Sequence, residues 1–283
     1  GDTITITATG TLALTRALPS IGKSVAIVGP GADKLTLSGE GAVRILRVAG
    51  PTVTVDGITF ANGNADYGAA IHVDPGASLT VSNSVFTGNV ATQGGGAIVN
   101  YGALTVRSSE FTQNQSDGGT TRGGGGAILG LGLWRVENST FTGNRGVGGG
   151  TSGGAITSCA GGVSELVNST VTGNSAASGG GVYSACSATA IVHLQNTIVA
   201  GNSETVVSPL RNPEIAGDVT ADNSLLGAPS SRGLPAGAGN IIGQPALLGP
   251  LGNYGGPTRT VPLLPGSPAL GGGAGVPGVA GVD

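Results

Sequence analysis

The sequence predicts an all-β protein, a single parallel β-solenoid with about 25–30 residues and three short strands per coil. Three observations lead there. A motif recurs with constant internal spacing, its short runs alternate in β-branched residues between Gly and Asn, and no segment carries an apolar stripe of helical period. The unit is too long for a hexapeptide solenoid and too short for a propeller blade, which takes roughly 40 residues or more. Stacked coils are the remaining solution, with equivalent residues about 4.8 Å apart.

The motif reads SLTVSNSVFTGN (78–89), ALTVRSSEFTQN (103–114), LWRVENSTFTGN (133–144), SELVNSTVTGN (164–174) and VHLQNTIVAGN (192–202), with a looser TVTVDGITFANGN at 52–64. From Val81, Val106, Val136, Leu166 and Leu194 to the next Phe or Val is always 5 residues, and from there to Asn always 3. From Asn to the next small-residue patch, such as GGAI at 95–98, 125–128 and 153–156, the count varies as 6, 11, 9 and 6. Each coil therefore has one fixed arm and one elastic corner. Stacking turns Phe60, Phe86, Phe111 and Phe141, continued by Val171 and Val199, into an internal column. Asn89, Asn114, Asn144, Asn174 and Asn202 become an amide ladder at one bend, each able to bond the rung above and below. Gly88, Gly143, Gly173 and Gly201, just before those Asn residues, suit a bend that needs positive φ.

Along the chain, residues 1–50 read as opening coils and a cap, with Leu12 to Ile21 as a segment covering the first coil. Residues 51–215 hold the regular repeats. Residues 216–270 read as irregular final coils, through Val219, Leu225–Leu226, Ile241–Ile242 and Leu247–Leu248, and 271–283 as a Gly-rich tail or assembly arm. One elongated domain is the economical reading.

Composition removes several classes. Gly is 56 of 283 residues but follows no period of three, which excludes collagen. Hydrophobic residues are 39%, mean hydropathy is +0.24 and net charge is -3, the reverse of a disordered chain. Twelve Lys and Arg lie scattered against 15 Asp and Glu, so no nucleic-acid partner is expected. No transmembrane run approaches the required ~20 apolar residues. No leader is visible, and Gly1 in place of Met suggests a trimmed chain.

Cys159 and Cys186 each lie 3 residues beyond a repeat patch, ending at Ile156 and Tyr183, so they stack on adjacent coils at disulfide range. A reduced pair is the alternative. A metal site is weaker, because two thiols lack the remaining tetrahedral ligands, and no metal or cofactor is expected. A disulfide would place the chain in an oxidising, extracytoplasmic compartment.

The paired GGA-I and F-T-x-N motifs resemble the polymorphic outer-membrane-protein repeat, within the right-handed parallel β-helix superfamily. IVGPGADKLTLSG (27–39) and LGPLGNYGGPTRTVPLLPGSPAL (248–270) resemble bacterial secreted β-helix proteins of the choice-of-anchor type. The resemblance covers most of the chain and implies a β-helix fold and a secreted or surface location. It departs from the pattern after PGSPA, where Leu270 and a Gly-rich run replace the usual acidic ending.

A glycan-degrading site would need clustered carboxylates with Arg or Lys for an acidic substrate. The polygalacturonase pattern of Asp-Asp, Asn-Thr-Asp and Gly-His-Gly is absent. One patch remains. Arg107 stacks under Glu137, and Arg135 under Glu165, itself under His193, all facing outward because Val106, Val136, Leu166 and Leu194 face inward. Glu137 and Glu165 would be diagonal neighbours at ~7–8 Å, a separation that also suits an inverting glycosidase. Every acid here has a base beside it, however, which is the ordinary pattern of cross-strand ion pairs. The sequons at Asn114, Asn138 and Asn168 fall within the repeat or just after it, and the Gly123–Gly126 run lacks the Lys-Ser/Thr of a phosphate loop.

The long corners 115–124 and 145–152 carry Asp117, Arg122 and Arg145 as candidate binding residues. The expected function is a non-catalytic extracellular or cell-surface structural or adhesive protein, able to assemble into a fibre or surface layer. Its partners would be itself, laterally or end to end, or surface polysaccharide. The alternative is a carbohydrate-binding or polysaccharide-degrading β-helix protein.

Overall fold

The computed structural model describes residues 1–118, 124–148, 150–184, 186–206, 213–227 and 236–276. Arg122 and the last residues of the tail, 277–283, lie outside them.

One coil shows the path of all. Ser78–Ser82 runs along the first sheet, Val85–Thr87 along the second, Val90–Gly94 along the third and Ile98–Asn100 along the fourth, before Ala103–Arg107 opens the next coil on the first sheet. Among the described residues these sheets contain 9, 10, 6 and 7 strands, and each strand pairs with its equivalents on neighbouring coils. The pairings between coils are parallel and, apart from one shift between Val90–Gly94 and Asn64–Tyr67, in register, as Val81↔Val106 and Phe86↔Phe111 show. The architecture is the expected parallel β-solenoid, with one correction: a coil carries four strands where three were expected. The extra strand lies in the elastic corner, where the strands of the later coils shrink to 2 residues, as in Gln115–Ser116 and Arg145–Gly146. Two residues leave no alternation to read.

The core is a set of stacked columns. Phe60, Phe86, Phe111 and Phe141 are all buried, with centroids 5.1, 4.6 and 4.6 Å apart and nearly parallel planes. Leu12 and Leu37 extend this column towards the N-terminus, and Val171, Val199, Leu226 and Ile242 towards the C-terminus. Asn89, Asn114, Asn144, Asn174 and Asn202 form the amide ladder beside it. Each of the first four donates its Nδ2–H to the next Oδ1 at 2.8–2.9 Å. Glu214, buried, ends the ladder, accepting from the main chain of Gly201 and Asn202 and from Asn202 Nδ2 at 2.7 Å. The residue before each rung holds positive φ: Gly at 88, 143, 173 and 201, but Gln113, at φ 55, before Asn114.

A second polar ladder runs along the bend between the first and second sheets. The main-chain N–H groups of Ser84, Ser109, Ser139, Ser169 and Thr197 each donate to the hydroxyl of the next coil's equivalent, ending at Ser224. Amides that cannot reach a strand partner at a sharp bend are thus satisfied from the coil above.

The glycine patches have a steric cause. A Cβ on Gly126 would lie 2.1 Å from the Gly154 carbonyl oxygen and 2.6 Å from the Arg145 nitrogen. Overpacking of this kind costs typically about 1–3 kcal/mol, so Gly126→Ala is expected to lower the melting temperature measurably. An unchanged melting curve would mean that the coils can part there without penalty. Ala69 holds the corresponding place two coils earlier, so the requirement is local to the coil path.

Two expectations at the ends change. Residues 12–21 do not cover the first coil; they form part of it. Gly10–Ala13 pairs with Leu35–Ser38, and Ile21 bridges to Val48. At the other end, Ile241–Ile242 still joins the second sheet, but Leu247–Leu248 does not begin another coil. Leu248 and Gly252 bridge antiparallel to Leu263 and Thr260, making a hairpin that folds back along the solenoid. Prolines 250, 257 and 262 deny this segment the donors of a regular strand. Arg259 reaches the fully buried Glu110, at 3.1 Å from Nε and 2.5 Å from its terminal nitrogen, while Thr258 bonds the Ser108 carbonyl. The strap therefore clamps a coil 149 residues away in sequence.

Candidate functional site

The outer face of the first sheet brings the expected charges together. Arg107 pairs in register with Glu137, Arg135 with Glu165, and Glu165 with His193. Arg107 Nε lies 3.1 Å from Glu137 Oε2, and Arg135 bridges the other Glu137 oxygen to Glu165. His193 turns away from Glu165, with Nδ1 2.9 Å from Thr220 Oγ1 and Nε2 3.6 Å from Asp222 Oδ2. Glu137 faces outward as expected yet is only 5% exposed, because the two guanidinium groups cover it. Both of its oxygens are occupied, so neither is free to pass a proton to a substrate. A general acid must reach the leaving group within hydrogen-bond distance. Among the described residues, no group of three or more His, Cys, Asp or Glu converges on a point that could hold a metal ion.

Cys159 and Cys186 form a disulfide with Cα atoms 4.8 Å apart, at the bend leading from the fourth sheet to the first. Alkylation of the denatured, unreduced protein is expected to label neither cysteine by intact mass. Two added alkyl groups would refute the bond. At the elastic corner, Asp117 accepts from Gln115 Nε2 at 2.6 Å, and Arg145 sits exposed on the next coil, in register with Gln115. The third candidate there, Arg122, lies outside the described residues.

The structure also assembles a cluster that the repeat pattern does not reveal. On the outer side of the fourth sheet, His72 stacks on Tyr101 with ring centroids 5.3 Å apart. His72 Nε2 is 3.2 Å from Asp74 Oδ1, and Asp74 also takes Arg47 at 3.0 Å. Arg44 donates to the main-chain carbonyls of Tyr67 and Gly68, and the Tyr67 hydroxyl donates to Gln93 at 2.7 Å. Burial holds the His72 pKa below its ordinary value, helped by Arg44 and opposed by Asp74. Burial, then Tyr67, pushes the Tyr101 hydroxyl up. Because Arg44 and Arg47 stand against Asp66 and Asp74, the patch is balanced in charge. It offers a ring platform with polar edges. Its members do not recur from coil to coil, so an alignment of repeats discards them. The register of Arg47 with His72 was the signal that could have found part of it.

Stacked coils, amide and hydroxyl ladders and an ion-paired outer sheet define a parallel β-helix repeat protein. The right-handed β-helix region family model matches residues 41–219, and the chain belongs to that family. No curated protein and no solved structure shows significant similarity to it.

Proposed function

We propose that the protein is a non-catalytic structural or adhesive β-helix working outside the cytoplasm, with its stiff solenoid as the functional element. The observation that carries this reading is Glu137, an acid with both oxygens taken by arginines on the sheet face where the sequence placed a carboxylate pair. The Cys159–Cys186 bond supports an oxidising compartment. Incubated with pectins, alginates and a panel of other glycans, the protein is expected to release neither reducing ends nor unsaturated products. Release that Glu165→Gln abolishes in a folded protein would overturn the proposal.

A second reading, carbohydrate binding, is favoured by the His72–Tyr101 platform, since flat ring faces beside polar edges suit a sugar ring. Retardation in glycan-containing gels that Tyr101→Ala removes would select it.

A further inference from the structure

The outer face of the first sheet carries a second feature beside its charges. Two residues before the paired Arg135 and Glu165 stand Leu133 and Val163, 49% and 52% exposed. Ala103 and Ile191 continue this apolar column on the coils to either side, Ile191 in register with Val163. The strap does not cover it, since its contacts with Ser108, Glu110 and Thr140 lie at the opposite end of these strands. An exposed apolar row of this kind on a sheet marks an interaction surface.

The neighbouring column decides which partner fits. Along the sheet it reads Thr105, Arg135, Glu165, His193, so its signs change once, between adjacent coils. A pattern of that form is complementary to its own reversal. Consider a second copy packed face to face and antiparallel, related by a two-fold axis along the strands that passes between the coils of Arg135 and Glu165. Arg135 then faces Glu165 of the second copy, and Glu165 faces its Arg135. Leu133 meets Val163, Ala103 meets Ile191, and His193 meets Thr105. No like charges oppose each other. Moving the axis onto either coil sets Arg135 against itself or Glu165 against itself, which costs binding, so the charges select one register. A parallel arrangement either separates the charged columns or sets Arg135 and Glu165 each against itself, and forfeits the match.

We infer that the Leu133–Val163 column and its flanking charges form an isologous interface with a second, antiparallel copy of this chain. The inference rests on the scaffold reading above and names its partner. The row is narrow beside the ~800 Å² per partner of a standard interface, so the dimer is weak and concentration-dependent.

Sedimentation velocity from micromolar to millimolar protein is expected to show reversible dimerisation. Val163→Asp should weaken it at least tenfold without changing the melting temperature. Glu165→Arg alone should do the same, whereas Arg135→Glu combined with Glu165→Arg, which preserves the facing of opposite charges, should restore it. Mixing Leu133→Cys protein with Val163→Cys protein should yield mainly the mixed intermolecular disulfide. A monomer at every concentration, a double charge reversal no tighter than the single one, or a predominance of like-with-like disulfides would each overturn the interface. None of these results would touch the scaffold reading, which is tested by glycan cleavage and by glycan binding at Tyr101.

Discussion

Phe111→Ala is expected to cost about 3–5 kcal/mol, the range for truncating a buried Phe, read as a shift of the denaturation midpoint at unchanged slope. Phe111 is fully buried and stacked on both sides, against Phe86 and Phe141, each at 4.6 Å. Two ring contacts are lost where a terminal member such as Phe60, stacked on Phe86 at 5.1 Å, loses one. The cavity also cannot collapse easily, because the main chain on either side is held by in-register pairing with both neighbouring coils. Phe111→Leu keeps most of the volume and should recover more than half of the loss. Val171 and Val199 show that the column tolerates an aliphatic side chain where the coils are built for it. An alanine variant within 1 kcal/mol of the wild type would mean that the column is not a continuous core.

What could be read from the sequence, and what could not, follows from periodicity. The Phe column and the Asn ladder recur at fixed offsets of 5 and 3, and a residue type repeated once per coil must stack on itself. The hydroxyl ladder was present in the same letters, in the Ser or Thr of SNS, SSE, NST and QNT, but reads as solvent-facing hydroxyls until the bend shows which amides need it. The fourth strand hid inside the segment of variable length. The strap hid because its decisive contact, Arg259 with Glu110, joins two residues that each occur once in their setting. Glu110 stands in register with Val85 and Thr140, so the repeat itself gave no reason for a charge there. His72, Tyr101 and Arg44 escaped for the same reason: a cluster drawn from different positions of different coils has no period. The sequence pattern thus shows what the coils share and is silent on what one coil holds alone.

The amide ladder yields the other large expected effect. Asn144 is fully buried and makes four hydrogen bonds of 2.9–3.1 Å through one side chain. Its Oδ1 accepts from the main-chain N–H and the Nδ2 of Asn114, and its Nδ2 donates to the Phe111 carbonyl and to Asn174 Oδ1. Asn144→Ala strands the Asn114 main-chain N–H inside the bend, and one buried unsatisfied group costs about 1–3 kcal/mol. With the further bonds lost, the total should be about 3 kcal/mol on the same scale. Asn144→Asp separates the two halves of the role. An aspartate accepts as well as the amide does but cannot donate, and it sets a charge against the Phe111 carbonyl and Asn174 Oδ1. Its folded-state pKa is therefore raised, so its stability relative to wild type should worsen as pH rises through that value and improve as pH falls below it. The native ladder obeys the same rule. An acid, Glu214, follows the last of the five Asn rungs, where Asn202 before it supplies the donors. Burial nevertheless pushes the Glu214 pKa up, against the pull of its bonds from Asn202 and Gly201. A melting temperature for Asn144→Asp equal to that of the wild type across pH 4–8 would show that donation along the column contributes nothing, and the ladder would then be only a stack of buried amides.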